Sequence, residues 1–290
     1  MDQAERLRII KASQHSRPLA RVITVTSGKG GVGKSNTAIN LAIQFRKMEK
    51  RVIILDADFG LANIEIMFGA VPKHNLCDLI YQGKNIREII TWGPMEVGFI
   101  SGGSGIAGMS NLSRDYLSYI IKNLVQLDTI ADIIIVDTGA GISDAVLEFL
   151  VASGEILLVT TPEPTSITDS YSLLKALYRH PRFTQETTKV KMIANRVEKE
   201  EEGEVLFSKL NAVVARYLKV PMTYLGCVPE DAHLSRAVMQ QVPVSLQNPG
   251  ARSTAAYERI AQRLLGREEE ERQPKRGMAA FFSHIVTGKK

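Results

Sequence analysis

Residues Ser27-Gly28-Lys29-Gly30-Gly31-Val32-Gly33-Lys34-Ser35 constrain this chain more than any other stretch. From Gly28 to Ser35 they fit G-x-x-x-x-G-K-[ST], a loop whose backbone amides cradle phosphate. The run before it, residues 21–26, is apolar enough for a buried strand. The run after it, 36–48, predicts a helix with Ile39, Leu41, Ala42 and Phe45 on its packed face. Backbone N–H groups of the turn and the positive end of that helix together make an anion site. Gly28, Gly30, Gly31 and Gly33 allow the tight turn and close approach that a Cβ would block, and Val32, Ser35 and Asn36 complete the cradle. Lys34 brings one ammonium to the phosphates and Lys29 a second. Two cations in one small loop repel each other unless concentrated negative charge lies beside them, and a triphosphate supplies it.

The remaining chain alternates apolar strands with helical segments. Strands are predicted at 51–56, 97–101, 133–137, 155–160, 190–195 and 222–228. Helices are predicted at 2–12, 60–69, 76–90, 113–127, 144–152, 166–178, 205–218, 234–240 and 252–265. Continuous apolar strands between helices imply an α/β fold: a three-layer P-loop NTPase with a mostly parallel central sheet flanked by helices. Ligands of such folds bind beyond the carboxyl ends of the strands. Three carboxylates fall there: Asp56 and Asp58 after the second strand, and Asp137 before Thr138-Gly139-Ala140-Gly141. Hard Mg²⁺ takes oxygen ligands and keeps several waters. The Ser35 hydroxyl is the expected direct ligand, Asp137 acts through water, and Asp56 is a further metal candidate. Asp58 is the candidate for orienting the attacking water. Phosphoryl transfer asks mainly for positioning and charge neutralisation. A turn or cap role is the alternative for each Asp.

With 290 residues and 44% hydrophobic content, the chain suits one large α/β domain or two small ones. No run reaches transmembrane length, and residues 1–12 lack a signal-peptide core. Cys77 and Cys227 form no C-x-x-C, so reduced thiols in a cytoplasmic protein are expected. The net charge of +5 is unevenly spread. Arg6, Arg8, Lys11, Arg17 and Arg21 against Asp2 and Glu5 make the first 21 residues +3. Six cations against Glu268 to Glu271 make residues 267–290 +2, which leaves the body neutral. Contacts are therefore expected at the two ends and not over a broad basic face, which argues against DNA as partner.

With Lys29, Lys34, Asp58 and Asp137-Thr138-Gly139-Ala140-Gly141 in place, the chain resembles the deviant Walker A ATPases, the family of MinD and ParA, over about residues 22–266. Lys29 to Ser35 match its K-G-G-x-G-K-[ST] motif. The resemblance implies ATP/ADP with Mg²⁺, ATP hydrolysis, and an ATP-dependent homodimer in which Lys29 reaches the partner's nucleotide. It also implies an adenine site from Asn195-Arg196 and Pro229-Glu230-Asp231. Within the family the chain is similar to the FlhG branch (also called YlxH or FleN), which controls flagellar number and placement. Asp2-Gln3-Ala4-Glu5-Arg6-Leu7-Arg8 resembles that branch's segment for binding and stimulating the GTPase FlhF. Asp2, Gln3, Ala4, Leu7 and Arg8 carry the match, with a solvated helical tail as the alternative. Asn36 and the Gly-rich stretch 100–105 also match. The branch further implies the flagellar C-ring proteins FliM and FliY as partners.

The domain organisation expected is a partner-binding segment at 1–20, an ATPase domain at 21–266, a charged linker at 267–274 and an amphipathic helix at 275–290. Met278, Phe281, Phe282, Ile285 and Val286 recur at helical spacing, with Lys275, Arg276, Lys289 and Lys290 flanking them. This face reads as an interfacial helix on an anionic membrane, reversible at the inner surface of the cell membrane, and resembles MinD's C-terminal helix. Packing on the protein body is the alternative. Rival functions are a ParA-type DNA-partitioning ATPase, an iron–sulfur relative, for which the two cysteines form no ligand pattern, and a tyrosine kinase, for which the expected tyrosine-rich C-terminus is missing.

Overall fold

The computed structural model describes residues 18–58, 63–103, 119, 122–266 and 277–286. Its centre is an eight-stranded sheet. The strands are β1 (Arg21–Thr26), β2 (Val52–Ala57), β3 (Thr91–Trp92), β4 (Gly98–Ile100), β5 (Ile133–Thr138), β6 (Glu155–Thr160), β7 (Lys189–Val197) and β8 (Met222–Pro229). They lie in the order β3-β4-β2-β5-β1-β6-β7-β8. All neighbours run parallel except the β3–β4 pair. β1, β2, β5 and β6 are buried at every position. Apolar residues on both faces are what a parallel sheet covered on both sides requires.

Helices cover both faces: α1 (Lys34–Lys47), α2 (Asn63–Phe68), α3 (Leu76–Tyr81), α4 (Ile86–Ile89), α5 (Leu127–Ile130), α6 (Asp144–Ala152), α7 (Pro164–Arg179), α8 (Glu200–Tyr217), α9 (Ala232–Met239), α10 (Val244–Gln247), α11 (Arg252–Gly266) and α12 (Gly277–Val286). Ile39, Ile43 and Phe45 of α1 pack with Tyr257 and Ile260 of α11 in one apolar cluster. Leu173 and Leu177 of α7 and Leu206 and Leu210 of α8 cover β6 and β7. The predicted strands and the three-layer fold match this arrangement. The predicted helix at 76–90 is instead two helices. Gly83, at φ 66°, lies between them, and Asn75 and Asn85 each build a capping box at the start of one. β3 and α10, unlike the predicted β4, carry too few residues for a periodic signal. The predicted helices 2–12 and most of 113–127 lie outside the described residues. So do the linker 267–274 and the partner residues Asp2, Gln3, Ala4, Leu7 and Arg8.

Two expectations about the chain ends change. Ala20 is fully buried and belongs to the body, so the N-terminal segment ends before it. Met278, Phe281 and Phe282, predicted to face lipid, are 0–2% exposed and pack with Leu124, Leu127 and Phe149. The part of the face formed by Met278, Phe281 and Phe282 is covered by protein here, because a hydrophobic stripe gains as much from a protein groove as from lipid; the side chains of Ile285 and Val286 lie outside the described residues. No described helix is long and apolar enough to cross a membrane.

At the opposite end of the sheet from the phosphate loop, β1, β6 and β7 share a buried ion cluster. Arg21 donates to Glu155 at 2.8 and 2.9 Å and to the Leu264 carbonyl at 2.8 Å. Lys191 donates to Glu155 at 2.7 Å. Burial alone would raise the Glu155 pKa, but the two cations bring it down to about 2.

Candidate functional site

β1 delivers residues 27–33 to the carboxyl edge of the sheet, and α1 leaves from Lys34. Gly31 and Gly33 take φ of 74° and 98°, a region that side chains with a Cβ rarely adopt. The loop is braced from several sides. Ser27 Oγ donates to the Lys29 carbonyl at 2.7 Å, and the Gly141 amide donates to the Ser27 carbonyl at 3.0 Å. Asn195 Nδ2 donates to the Val32 carbonyl and Arg196 Nη2 to the Gly31 carbonyl, both at 2.7 Å. These contacts turn the carbonyls outward and leave the amides free to face a ligand. Lys34 is 8% exposed at the start of α1.

Asp56 and Asp137 stand side by side in register on β2 and β5. Burial, and then the Asp137 charge, push the Asp56 pKa up to about 8, against hydrogen bonds from the Asp58 and Ile64 amides. Burial likewise raises Asp137 to about 6, while the nearby Ser35 hydroxyl and Lys34 oppose the rise. Both Asp137 oxygens are buried without a hydrogen bond of ordinary geometry. Asp58 closes the cluster: its Oδ1 lies 3.6 Å from where a Cβ on Gly139 would stand. Buried acidic oxygens beside a hydroxyl and an ammonium are an incomplete set, and a hard divalent cation fits it. Ser35, Asp56 and Asp137 would hold that ion, and its charge would neutralise the carboxylates and the phosphate oxygens together.

The structure brings the predicted base-binding residues together. Gly33, Asn36, Asn195, Arg196, Pro229, Glu230 and Asp231 line a cavity of about 360 Å³ with Leu234, Val238 and Met239. Three of them carry further roles that the sequence did not reveal. Asn195 and Arg196 brace the phosphate loop. Asp231 caps α9 through the His233 amide at 2.8 Å and binds Ser253 N and Oγ at 3.0 and 2.8 Å. Burial opposes ionisation there, but these bonds hold the Asp231 pKa at about 2.

Lys29, expected to reach a partner subunit, is held within its own chain. Its Nζ donates to Glu163 Oε2 at 2.5 Å and to Thr165 Oγ1 at 2.8 Å, at the start of α7. Glu163 and Thr165 were not foreseen, because they stand 134 and 136 positions away and carry no motif of their own.

The family model described as ParA, NUBPL iron-transfer P-loop NTPase, matches residues 18–265. The chain belongs to the ParA/MinD family of P-loop ATPases. Among relatives of this family, the antiactivator FleN of Pseudomonas aeruginosa is 38% identical over 84% of this chain and 86% of its own. The flagellum site-determining protein YlxH of Helicobacter pylori is 31% identical over 92% of this chain and 90% of its own. The same ParA/MinD fold appears in the solved MinD of Pyrococcus horikoshii in complex with Mg-ADP, at a TM-score of 0.66 and 23% identity. That likeness covers 85% of this chain and 96% of the other.

Proposed function

We propose that this chain is an ATP-hydrolysing, ATP-dimerising switch that associates with membrane and regulates flagellar number, placement and assembly. The observation that carries the ATPase part is the buried, unpartnered Asp137 carboxylate beside Ser35 and Lys34 in a braced phosphate loop. The flagellar part is supported by the likeness to FleN and YlxH. ATP binds with its phosphates on 28–35 and its base in the cavity at Asn195, Arg196 and Glu230. Asp58 orients the attacking water, while Lys34 and Lys29 neutralise charge that builds on the phosphates. Lys29 must leave Glu163 to reach a second subunit. Their pair is exposed and screened by solvent, so it is cheap to break.

In this reading the N-terminal segment that precedes Ala20 binds and stimulates an FlhF-type GTPase. C-ring proteins of the FliM and FliY type are further partners, and α12 leaves the body to bind an anionic membrane. Asp58→Ala is expected to keep ATP affinity and dimerise, while turnover drops by about 10²-fold or more. Steady-state phosphate release with parallel sizing of the protein checks this, and unchanged turnover removes Asp58 from its role. Deleting residues 1–17 should leave ATP binding intact and abolish stimulation of the partner GTPase. Stimulation that survives the deletion sinks the assignment.

A DNA-partitioning role, taken from the ParA side of the family, is the second reading. The neutral body counts against it. ATP-dependent, salt-sensitive binding to unrelated DNA would favour it instead. Iron transfer would need thiols brought together. Cys77 lies on α3, which packs on the β2–β5 half of the sheet, whereas Cys227 lies on the edge strand β8.

A further inference from the structure

Both ends of the folded body meet at one carboxylate. Asp128, on α5, is 6% exposed. Its two oxygens accept the Met278 amide at 2.9 and 3.0 Å, and the Ala20 amide also hydrogen-bonds to it. A second tie runs directly between the ends, where the Gly277 amide donates to the Ala20 carbonyl at 2.9 Å. Gly277 has a φ of 84°, and a Cβ on it would stand 2.7 Å from Asp128 Oδ2 and 3.1 Å from the Leu19 side chain. Beyond this point Phe281 packs on Phe149 of α6, with ring centroids 6.2 Å apart.

We propose that Asp128 is a clamp that couples the two ends of the chain, so that the root of the N-terminal segment and the docked helix α12 open as one unit. A buried carboxylate is tolerated when its acceptor sites are filled. If α12 leaves, Asp128 loses the Met278 amide, Ala20 loses the Gly277 donor, and the hold on residues 18–20 weakens. If a ligand pulls the N-terminal segment away, α12 loses the carboxylate at its first turn, where the helix dipole gives it most effect. Linkage makes the coupling equal in both directions. The consequence for a partner protein gripping the N-terminal segment is a looser tail helix. That consequence rests on the proposed function, but the coupling itself does not.

Hydrogen exchange followed by mass spectrometry on the full chain tests it. Asp128→Ala should speed exchange about tenfold or more both in residues 19–22 and in 278–283, while α1 keeps its wild-type protection. Asp128→Asn, which keeps one acceptor, should fall between the two. Phe281→Ala loosens α12 from the tail side through its packing on Phe149, and residues 19–22 should accelerate together with α12. Wild-type protection of either segment in Asp128→Ala overturns the clamp. If that variant loses protection throughout, Phe281→Ala decides: acceleration confined to the tail overturns the coupling, and parallel acceleration supports it. Failure of the ATP-switch reading would show as missing turnover or dimer, and would leave this exchange pattern unchanged.

Discussion

Gly28→Ala is expected to weaken ATP binding about tenfold to a hundredfold, the effect of about 1–3 kcal/mol of overpacking at the loop. A Cβ at Gly28 would sit inside contact distance of the Asp169 carbonyl and the Ser170 amide of α7, which are backbone and cannot rotate aside. The loop would have to lift away from α7 and lose the orientation of its amides. Gly33→Ala should be comparably severe, since φ is 98° and the new methyl would strike Asn195 Nδ2, the group that braces the Val32 carbonyl. Gly31→Ala meets no neighbour but keeps a φ of 74°, a strain of about 1–2 kcal/mol. Gly30→Ala has open space and no left-handed φ, so its affinity should stay within about threefold of wild type. Calorimetric titration of the four variants with ATP checks the order. Equal losses at Gly28 and Gly30 would contradict the packing argument.

Glu155→Gln is expected to destabilise the folded protein by about 3–5 kcal/mol, because it leaves Arg21 and Lys191 buried without their counter-charge. The site lies at the opposite end of the strands from the phosphate loop, so the loss should show in the urea midpoint and not in ATP affinity of the folded protein. The same cluster sets an acid limit. The Glu155 pKa is about 2 when folded against an ordinary 4.5. A depressed carboxylate stabilises the fold above its unfolded pKa, and that stabilisation is lost as pH falls from about 4.5 towards 2. The difference is worth about 3 kcal/mol. Urea titrations across pH 6 to 3 should show wild type losing stability that Glu155→Gln has already lost. A midpoint difference independent of pH in that window would remove the ion cluster as its cause.

Much of the site was legible because its determinants are local. The phosphate loop is nine consecutive residues with an apolar run on either side. Asp56 and Asp137 end apolar strands, and a parallel sheet puts such ends on one edge. The cavity residues could be assigned only through the family pattern, since Asn195-Arg196 alone reads as any loop. Their bracing of the Val32 and Gly31 carbonyls was not legible, because it depends on how β7 lies relative to β1. Lys29 shows the same limit. Its charge is visible in the motif, but its cis partner Glu163 is decided by where α7 begins.

The tail separates the two kinds of information most clearly. The spacing of Met278, Phe281 and Phe282 determines that one face of a helix is apolar and must be covered. It does not determine by what, because hydrophobic burial has no direction and lipid and protein satisfy it alike. The sequence by itself determined a phosphate-binding parallel α/β fold with acidic strand ends and two charged arms, since motif, periodicity and charge are properties of neighbouring residues. Only the tertiary structure decided that Asp56 and Asp137 face each other and that Asn195 and Arg196 hold the loop. It alone decided that Asp128 ties residue 20 to residue 278, because such contacts join groups far apart in the chain, placed by the register of the sheet and the docking of helices.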